Sequence, residues 1–332
     1  MTLSALPTGA SGNCTLRFRA GESVSLRPFE REPERHVDMR RHRTTARGKL
    51  LALLAASLMA AAASPQAGGG GSAGQGVPRF VFPLVAQTEL WDNYGDARPN
   101  GSHEGIDMEN PWRAPVVAVE PGKIDYHDSG LGGCMLYLYG RSGTMYMYIH
   151  LNNDLTGKND NRGGCKQGVT FAVPDGARVS AGQQIAWNGD SGDANGNPHL
   201  HFEVHPGGGG ATNPYPYLKG ALRPLFAGKL GAVFSLGLRG DLVARGMATV
   251  KVDVEQVRYY PGGSWLTVEP RTVVLDKGQV RLSRVTRIVQ SSPSHVLKRP
   301  VPVVAFTPKA QVTRAAITGA AGSLRLQRIV RR

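Results

Sequence analysis

Two histidines stand at positions 199 and 201, in the run Asn197-Pro198-His199-Leu200-His201-Phe202-Glu203-Val204-His205. Side chains alternate between the faces of a β-strand, so His199 and His201 share one face and Leu200 and Phe202 the other. Two imidazoles side by side on a rigid strand suit one metal ligand and one acid/base partner. Taken alone, the run fits two unrelated surface histidines better, because short motifs recur by chance. The residues upstream change that balance. His103-Glu104-Gly105-Ile106-Asp107 sets an imidazole and a carboxylate four positions apart, with a glycine between them to let the backbone turn. Tyr148-Ile149-His150-Leu151 ends a second apolar strand in a histidine. A catalytic zinc site takes three protein ligands and keeps one position open for water. His103, Asp107 and His201 would fill that requirement, leaving His199 and His150 as unligated imidazoles beside the open position.

From about Trp91 to Tyr217 these motifs resemble, in order, the lysostaphin-type zinc metallopeptidases, which mostly cut peptide cross-links in bacterial peptidoglycan. Gly101-Ser102-His103-Glu104-Gly105-Ile106-Asp107 is similar to the first metal motif. Ala114 to Val119 and Pro121-Gly122-Lys123-Ile124 are similar to the strand and turn that follow it. Tyr148-Ile149-His150-Leu151, Val179 to Gln183, Gly189-Asp190-Ser191-Gly192 and Pro198 to Glu203 complete the series. The resemblance implies Zn²⁺ held by His103, Asp107 and His201, with His199 and His150 as catalytic histidines. It implies His199 as the proton acceptor from water and His150 as a hydrogen-bond donor to the oxyanion, with the assignment of the two jobs left open. Asn152 to Gly176 is longer than the loop expected there, which bears on the groove and not on the metal. Glu203 and His205 share the face of His201 and take a supporting or rim position. Glu104 reads as a surface residue, and Asp125 and His127 as solvated.

The elements that must position these residues are short strands separated by Gly, Asn, Asp and Pro, the pattern of a mainly β chain. Candidates are Phe80 to Val85, Pro115 to Val119, Lys123 to His127, Met135 to Tyr139, Met145 to His150, Gln184 to Trp187 and His199 to His205. Tyr146, Tyr148 and His150 share a face by alternation, so the tyrosines either line the cleft or pack, and packing is preferred for Tyr146. The expected fold is an antiparallel β-sheet peptidase domain over residues 77–219, followed by a smaller basic β-rich domain over 221–306. In the latter, Val250, Val252 and Val254 alternate with Lys251, Asp253 and Glu255. Trp265 to Val268, Thr272 to Leu275, Val280 to Val289 and Val301 to Phe306 continue the pattern. Residues 307–332 read as a basic tail.

Ahead of residue 77, residues 1–38 read as a disordered or mis-annotated extension. Basic residues from Arg40 to Lys49, the apolar run Leu50 to Ala63 and Ala61-Ala62-Ala63 before Ser64 read as a signal peptide over 39–63. Translation is then expected to start at Met39. The Gly/Ser-rich stretch 64–76 reads as a flexible linker. The expected location is secreted or cell-wall associated.

The net charge of +14 on 332 residues is unevenly placed: residues 221–332 hold 19 basic and 5 acidic side chains, and residues 64–220 hold 10 and 15. Such asymmetry points to an anionic partner, here a wall polymer or lipid headgroups, or to a merely solvated basic surface. No nucleic-acid recognition motif accompanies it. With Cys14 in the N-terminal extension that is expected to be lost, Cys134 and Cys165 are left as an even pair in an exported chain. Either they pair, pinning the Asn152 to Gly176 stretch, or they ligate zinc, which their isolated spacing argues against. The expected function is a zinc metalloendopeptidase acting on peptidoglycan. The alternative is a catalytically silent peptidoglycan-binding or hydrolase-activating module, which would typically have lost metal ligands.

Overall fold

The apolar face of the run from His199 onward dictates the central layer. Leu200, Phe202 and Val204 are fully buried, so the strand His199–His205 must lie with one face on a core. In the computed structural model, which describes residues 76–99, 101–278 and 295–332, this strand is the second of a six-stranded antiparallel sheet. The order is Ile106–Glu109, His199–His205, Met145–Leu151, Gly133–Gly140, Gly122–Ser129 and Arg178–Val179. A small ribbon of Pro115–Val117 and Gln184–Trp187 covers the core, where Phe80, Phe82, Ile106, Leu136, Tyr146, Tyr148 and Phe202 meet. The alternation located six of the seven candidate strands to within two residues of their ends. At Pro115 the strand stops at Val117, and Phe80 to Val85 is extended chain that makes only isolated bridges at Val81 and Leu84.

Register decides which residues meet. His201 pairs with Asp107 on one side and with Ile149 on the other. The same register pairs Tyr148 with Phe202 and Tyr146 with Val204, which turns both tyrosines to the core. Neither lines a cleft, and the shared face expected for Tyr146, Tyr148 and His150 does not exist. His150 leaves that face because it adopts a left-handed backbone (φ 61°). The pairing with the Gly133–Gly140 strand slips at the same place, between Cys134 and Leu136. A bulge of this kind re-aims a side chain.

A second six-stranded sheet follows, in the order Leu324–Arg325, Leu266–Asp276, Thr249–Tyr259, Leu236–Arg245, His295–Phe306 and Arg328–Arg331. All its pairings are antiparallel except that of Leu324–Arg325 with Leu266–Asp276. The valine stripe faces inward as expected, with Val250, Val252 and Val254 buried. Thr272 to Leu275 and all of Trp265 to Val268 but Trp265 itself are parts of one long strand, Leu266–Asp276. The strand Leu236–Arg245 escaped the sequence reading because two glycines and an Asp interrupt its apolar alternation.

Residues 307–332 are not a tail. The short helix Arg314–Thr318 is capped by the Thr313 hydroxyl, which accepts from the Ala316 N–H. Ile317, Leu324, Leu326 and Ile329 are buried. Apolar residues every few positions, masked in the sequence by five arginines and a lysine, give this stretch its place in the core.

The two sheets share that core. Val81, Val85, Val117 and Ala181 of the first part pack with Leu225, Leu236, Val252, Val273 and Ile317 of the second. Gly182, in a left-handed conformation (φ 79°), lies so close that a Cβ there would come within 2.8 Å of Ile317. The Gly228 N–H donates to the Gly182 carbonyl, and the Arg271 guanidinium donates to the carbonyls of Arg223 and Pro224.

Cys134 and Cys165 form a disulfide with a sequence separation of 31. It ties the long Asn152 to Gly176 stretch to the Gly133–Gly140 strand. Buried Asp154 organises that stretch, accepting from the backbone N–H groups of Asp160 and Asn161 and from the Trp112 indole. No described helix is long and apolar enough to cross a membrane. The expected extension, the signal peptide, the linker except its last residue, and the candidate strand Val280 to Val289 lie outside the described residues.

Candidate metal centre and active site

His103, Asp107 and His201 converge. His103 Nε2 lies 3.0 Å from Asp107 Oδ1 and 3.0 Å from His201 Nδ1, and His201 Nδ1 lies 2.8 Å from Asp107 Oδ1. Among the described residues this is the group of three that could hold a metal ion. The other nitrogen of each ring is already engaged. His103 Nδ1–H donates to the Asn93 carbonyl at 2.7 Å, and His201 Nε2–H donates to Glu203 Oε1 at 2.9 Å. A carbonyl can only accept, so the His103 tautomer is set, and its Nε2 lone pair points into the triangle. Three acceptor atoms meeting at one point need a cation or a shared proton between them. Two imidazoles and a carboxylate, each ring held from behind by a hydrogen bond, are a donor set that fits zinc.

Electrostatics express the same convergence. Burial alone would raise the Asp107 carboxyl, but hydrogen bonds from His103 and His201 hold it well below the usual carboxylate range. Burial would lower His201, but the bonds to Asp107 and Glu203 raise it to about 9. A cation entering the triangle therefore displaces a proton.

Several residues that the sequence did not single out build this geometry. Asn93 serves both ends of the first motif: its backbone carbonyl accepts from His103, and its side-chain Oδ1 accepts from the Asp107 N–H. Arg98 donates to the outer oxygen of Asp107 at 2.6 Å. Gly105 is required, though for space and not for a turn. Its φ is not positive, and a Cβ there would lie 2.6 Å from His201 Nε2. Glu203 and His205 are buried, not at a rim. Glu203 bridges His201 and His205, its Oε2 lying 2.6 Å from His205 Nε2, while His205 Nδ1–H donates to the Gly209 carbonyl. Against burial, the two histidines pull the Glu203 carboxyl down to about 2.

His199 and His150 face the open side of the triangle. Their ring centroids are 4.8 Å apart, and His199 Nε2 lies 3.6 Å from Asp107 Oδ1. Both have their tautomer fixed by a carbonyl: His199 Nδ1–H donates to Asn197 at 2.8 Å and His150 Nδ1–H to Ser191 at 2.9 Å. Both Nε2 atoms are thus acceptors while the rings are neutral. Burial, and the neighbouring His199, lower the His150 imidazole to about 4. Neutral His150 offers no hydrogen bond to an oxyanion through Nε2, so the donor role expected for it requires prior protonation. Asp193, also missed in the sequence, lies 3.8 Å from His150 Nε2 and favours that protonated form. Ser191 fixes the surroundings, its Oγ donating to the Leu151 carbonyl and accepting from the Cys134 N–H. Asp125 and His127 pair with each other on the Gly122–Ser129 strand, apart from this group. Cys134 and Cys165, joined to each other, ligate nothing.

No family model matches the chain. An uncharacterised metalloprotease of Haemophilus influenzae is 30% identical over 152 residues, which are 42% of this chain and 27% of that protein. The chain thus spans about a quarter of the length of this curated relative. The catalytic domain of the antimicrobial peptidase lysostaphin from Staphylococcus simulans is 28% identical, over 40% of this chain and 92% of that domain, with a TM-score of 0.32. A zinc-containing peptidase from Vibrio cholerae is 25% identical, over 40% of this chain and 38% of its own, with a TM-score of 0.32.

Proposed function

We propose, for a chain that belongs with the lysostaphin-type metallopeptidases, that it is an exported zinc metalloendopeptidase hydrolysing peptide cross-links of bacterial peptidoglycan. The observation that carries the reading is the convergence of His103, Asp107 and His201 on one point, with His150 and His199 facing its open side. Zn²⁺, when bound, activates a water, lowering its pKa toward ~7, and polarises the scissile carbonyl. The chain's own residues do the rest. Asn93 and Glu203 orient the two ligand imidazoles, and Arg98 holds the outer oxygen of Asp107. His199 Nε2 or His150 Nε2, both acceptors, takes the proton of the attacking water. The imidazolium so formed donates to the developing oxyanion and returns the proton to the leaving amine as the C–N bond breaks. A low His150 basicity suits that return, because a weakly held proton is readily given up.

Export is supported by the even cysteine pair, which forms a disulfide of the kind that persists in oxidising compartments. The test is mass spectrometry of muropeptides released from purified peptidoglycan by zinc-loaded protein. Newly freed amino and carboxyl termini at one peptide bond are expected. Intact cross-links alongside stoichiometric zinc would refute the assignment.

A further inference from the structure

The outer face of the C-terminal sheet carries a ladder of alternating cations and rings. The guanidinium carbons of Arg239 and Arg258 lie 4.2 and 4.6 Å from the Trp265 ring centre, on which both stack. Arg258 also lies 5.9 Å from Tyr260, and Arg328 lies 6.0 Å from Tyr260 and 4.3 Å from Phe306. Sheet register produces the row. Arg258 pairs with Gly237, Gly237 with Phe306, and Phe306 with Arg328. Gly237 leaves the space, since a Cβ there would lie 3.3 Å from both the Arg258 side chain and the Trp265 ring.

Asp241 and Asp253 pair with each other in register across the same face but do not reach the ladder. Among the described residues none of the three guanidiniums has a carboxylate within ion-pair distance; the pair nearest in sequence is Arg223 with Glu269. Arg239 donates to the Gln256 side chain, while the Nε atoms of Arg239 and Arg258 are buried without a hydrogen-bond partner. A guanidinium laid flat on a ring is held in place and partly stripped of water, with its outer N–H groups still available as a fork. Such forks match carboxylates in geometry and charge.

The ladder is also joined to the catalytic sheet. Gln87 N–H donates to the carbonyl of Thr267, two residues after Trp265, and Glu89 N–H donates to the carbonyl of Glu109. Glu109 pairs with His199. These backbone links connect the segment beside the Ile106–Glu109 edge strand to the strand that follows Trp265.

We propose that Arg239, Arg258 and Arg328 form an exosite that binds the free carboxylates of the peptide-bearing polymer cut at the metal site. This rests on the function proposed above. The test compares wild-type protein with the Arg258→Gln/Arg328→Gln double variant, both full-length and zinc-loaded. Co-sedimentation uses peptidoglycan sacculi stripped of other anionic polymers, with hydrolysis of a small uncharged soluble peptide as a second readout. The variant is expected to bind sacculi roughly five- to tenfold more weakly, as for the loss of two partly exposed ion pairs, with soluble-peptide turnover unchanged. Wild-type binding is expected to weaken to the same degree on sacculi whose carboxylates have been amidated, and this arm decides alone if the variant does not fold. Equal binding by variant and wild type, or wild-type binding indifferent to amidation, overturns the exosite. So does tight binding of DNA or polyphosphate that the variant loses while sacculus binding stays intact. Weakened sacculus binding by a variant of a protein that cuts no cross-link would keep the exosite and remove the peptidase reading.

Discussion

His150 and His199 lie with ring centroids 4.8 Å apart, although His150 occupies a strand position whose alternation points into the core. Its left-handed backbone, rare for a residue with a side chain, turns the imidazole out. Ser191 then fixes the ring by accepting from Nδ1.

Replacing either imidazole separates chemistry from metal binding. His150→Ala and His199→Ala are expected to keep about one zinc per chain by elemental analysis, yet to lose turnover by ~10²–10⁴-fold. His201→Ala and Asp107→Ala are expected to lose metal and turnover together. Loss of zinc from His199→Ala would move that residue among the ligands.

Acid is expected to expel the metal. With His201 raised to about 9, a proton competes for the site at every pH below that value. The sign follows: apparent zinc affinity falls as pH falls, and loading at neutral pH releases a proton. Calorimetry in buffers of different ionisation enthalpy measures that proton directly, and a pH-independent affinity would contradict the arrangement.

Much of this site was legible in the sequence because strand alternation and four-residue spacing are local rules. They brought out His103, Asp107, His199 and His201. What escaped depends on contacts between distant segments. Asn93 acts through its own carbonyl as much as its side chain, and Asp193 reaches His150 from a loop 43 positions away. The bulge at His150 broke the alternation that had grouped it with Tyr146 and Tyr148. In the C-terminal part, the arginines of residues 307–332 concealed the apolar positions that seat it.

Loss of the disulfide is expected to be costly. Opening a 31-residue closure by Cys165→Ser removes about 3–4 kcal/mol in the chain-entropy model. Chemical denaturation measures it as a lower midpoint, with a steeper slope because the denatured chain is released from the cross-link. The Asn152 to Gly176 stretch would loosen first, and with it the hydrogen bond from Asn159 to Asp190. Equal midpoints for both proteins would show that this stretch is held by Asp154 alone.

A single methyl group at the seam between the sheets is expected to destabilise both. Gly182→Ala would force a left-handed alanine and bring its Cβ within 2.8 Å of Ile317. The expected loss is ~1–3 kcal/mol. Thermal unfolding followed separately by zinc release and by far-ultraviolet circular dichroism should shift by the same amount. A shift in one signal alone would mean that the two sheets unfold independently.

The shared core of Val81, Val117 and Ala181 with Leu225, Val252 and Ile317 also limits how this chain could be recombined. Wall-acting domains joined by a linker can be exchanged between proteins as separate cassettes. Here a cut near Gly220 would leave an apolar scar on each half and strand the helix that packs on Gly182. The described residues after Lys219 are chassis as well as carrier of the arginine ladder, and a transplant of the metal centre has to carry them along.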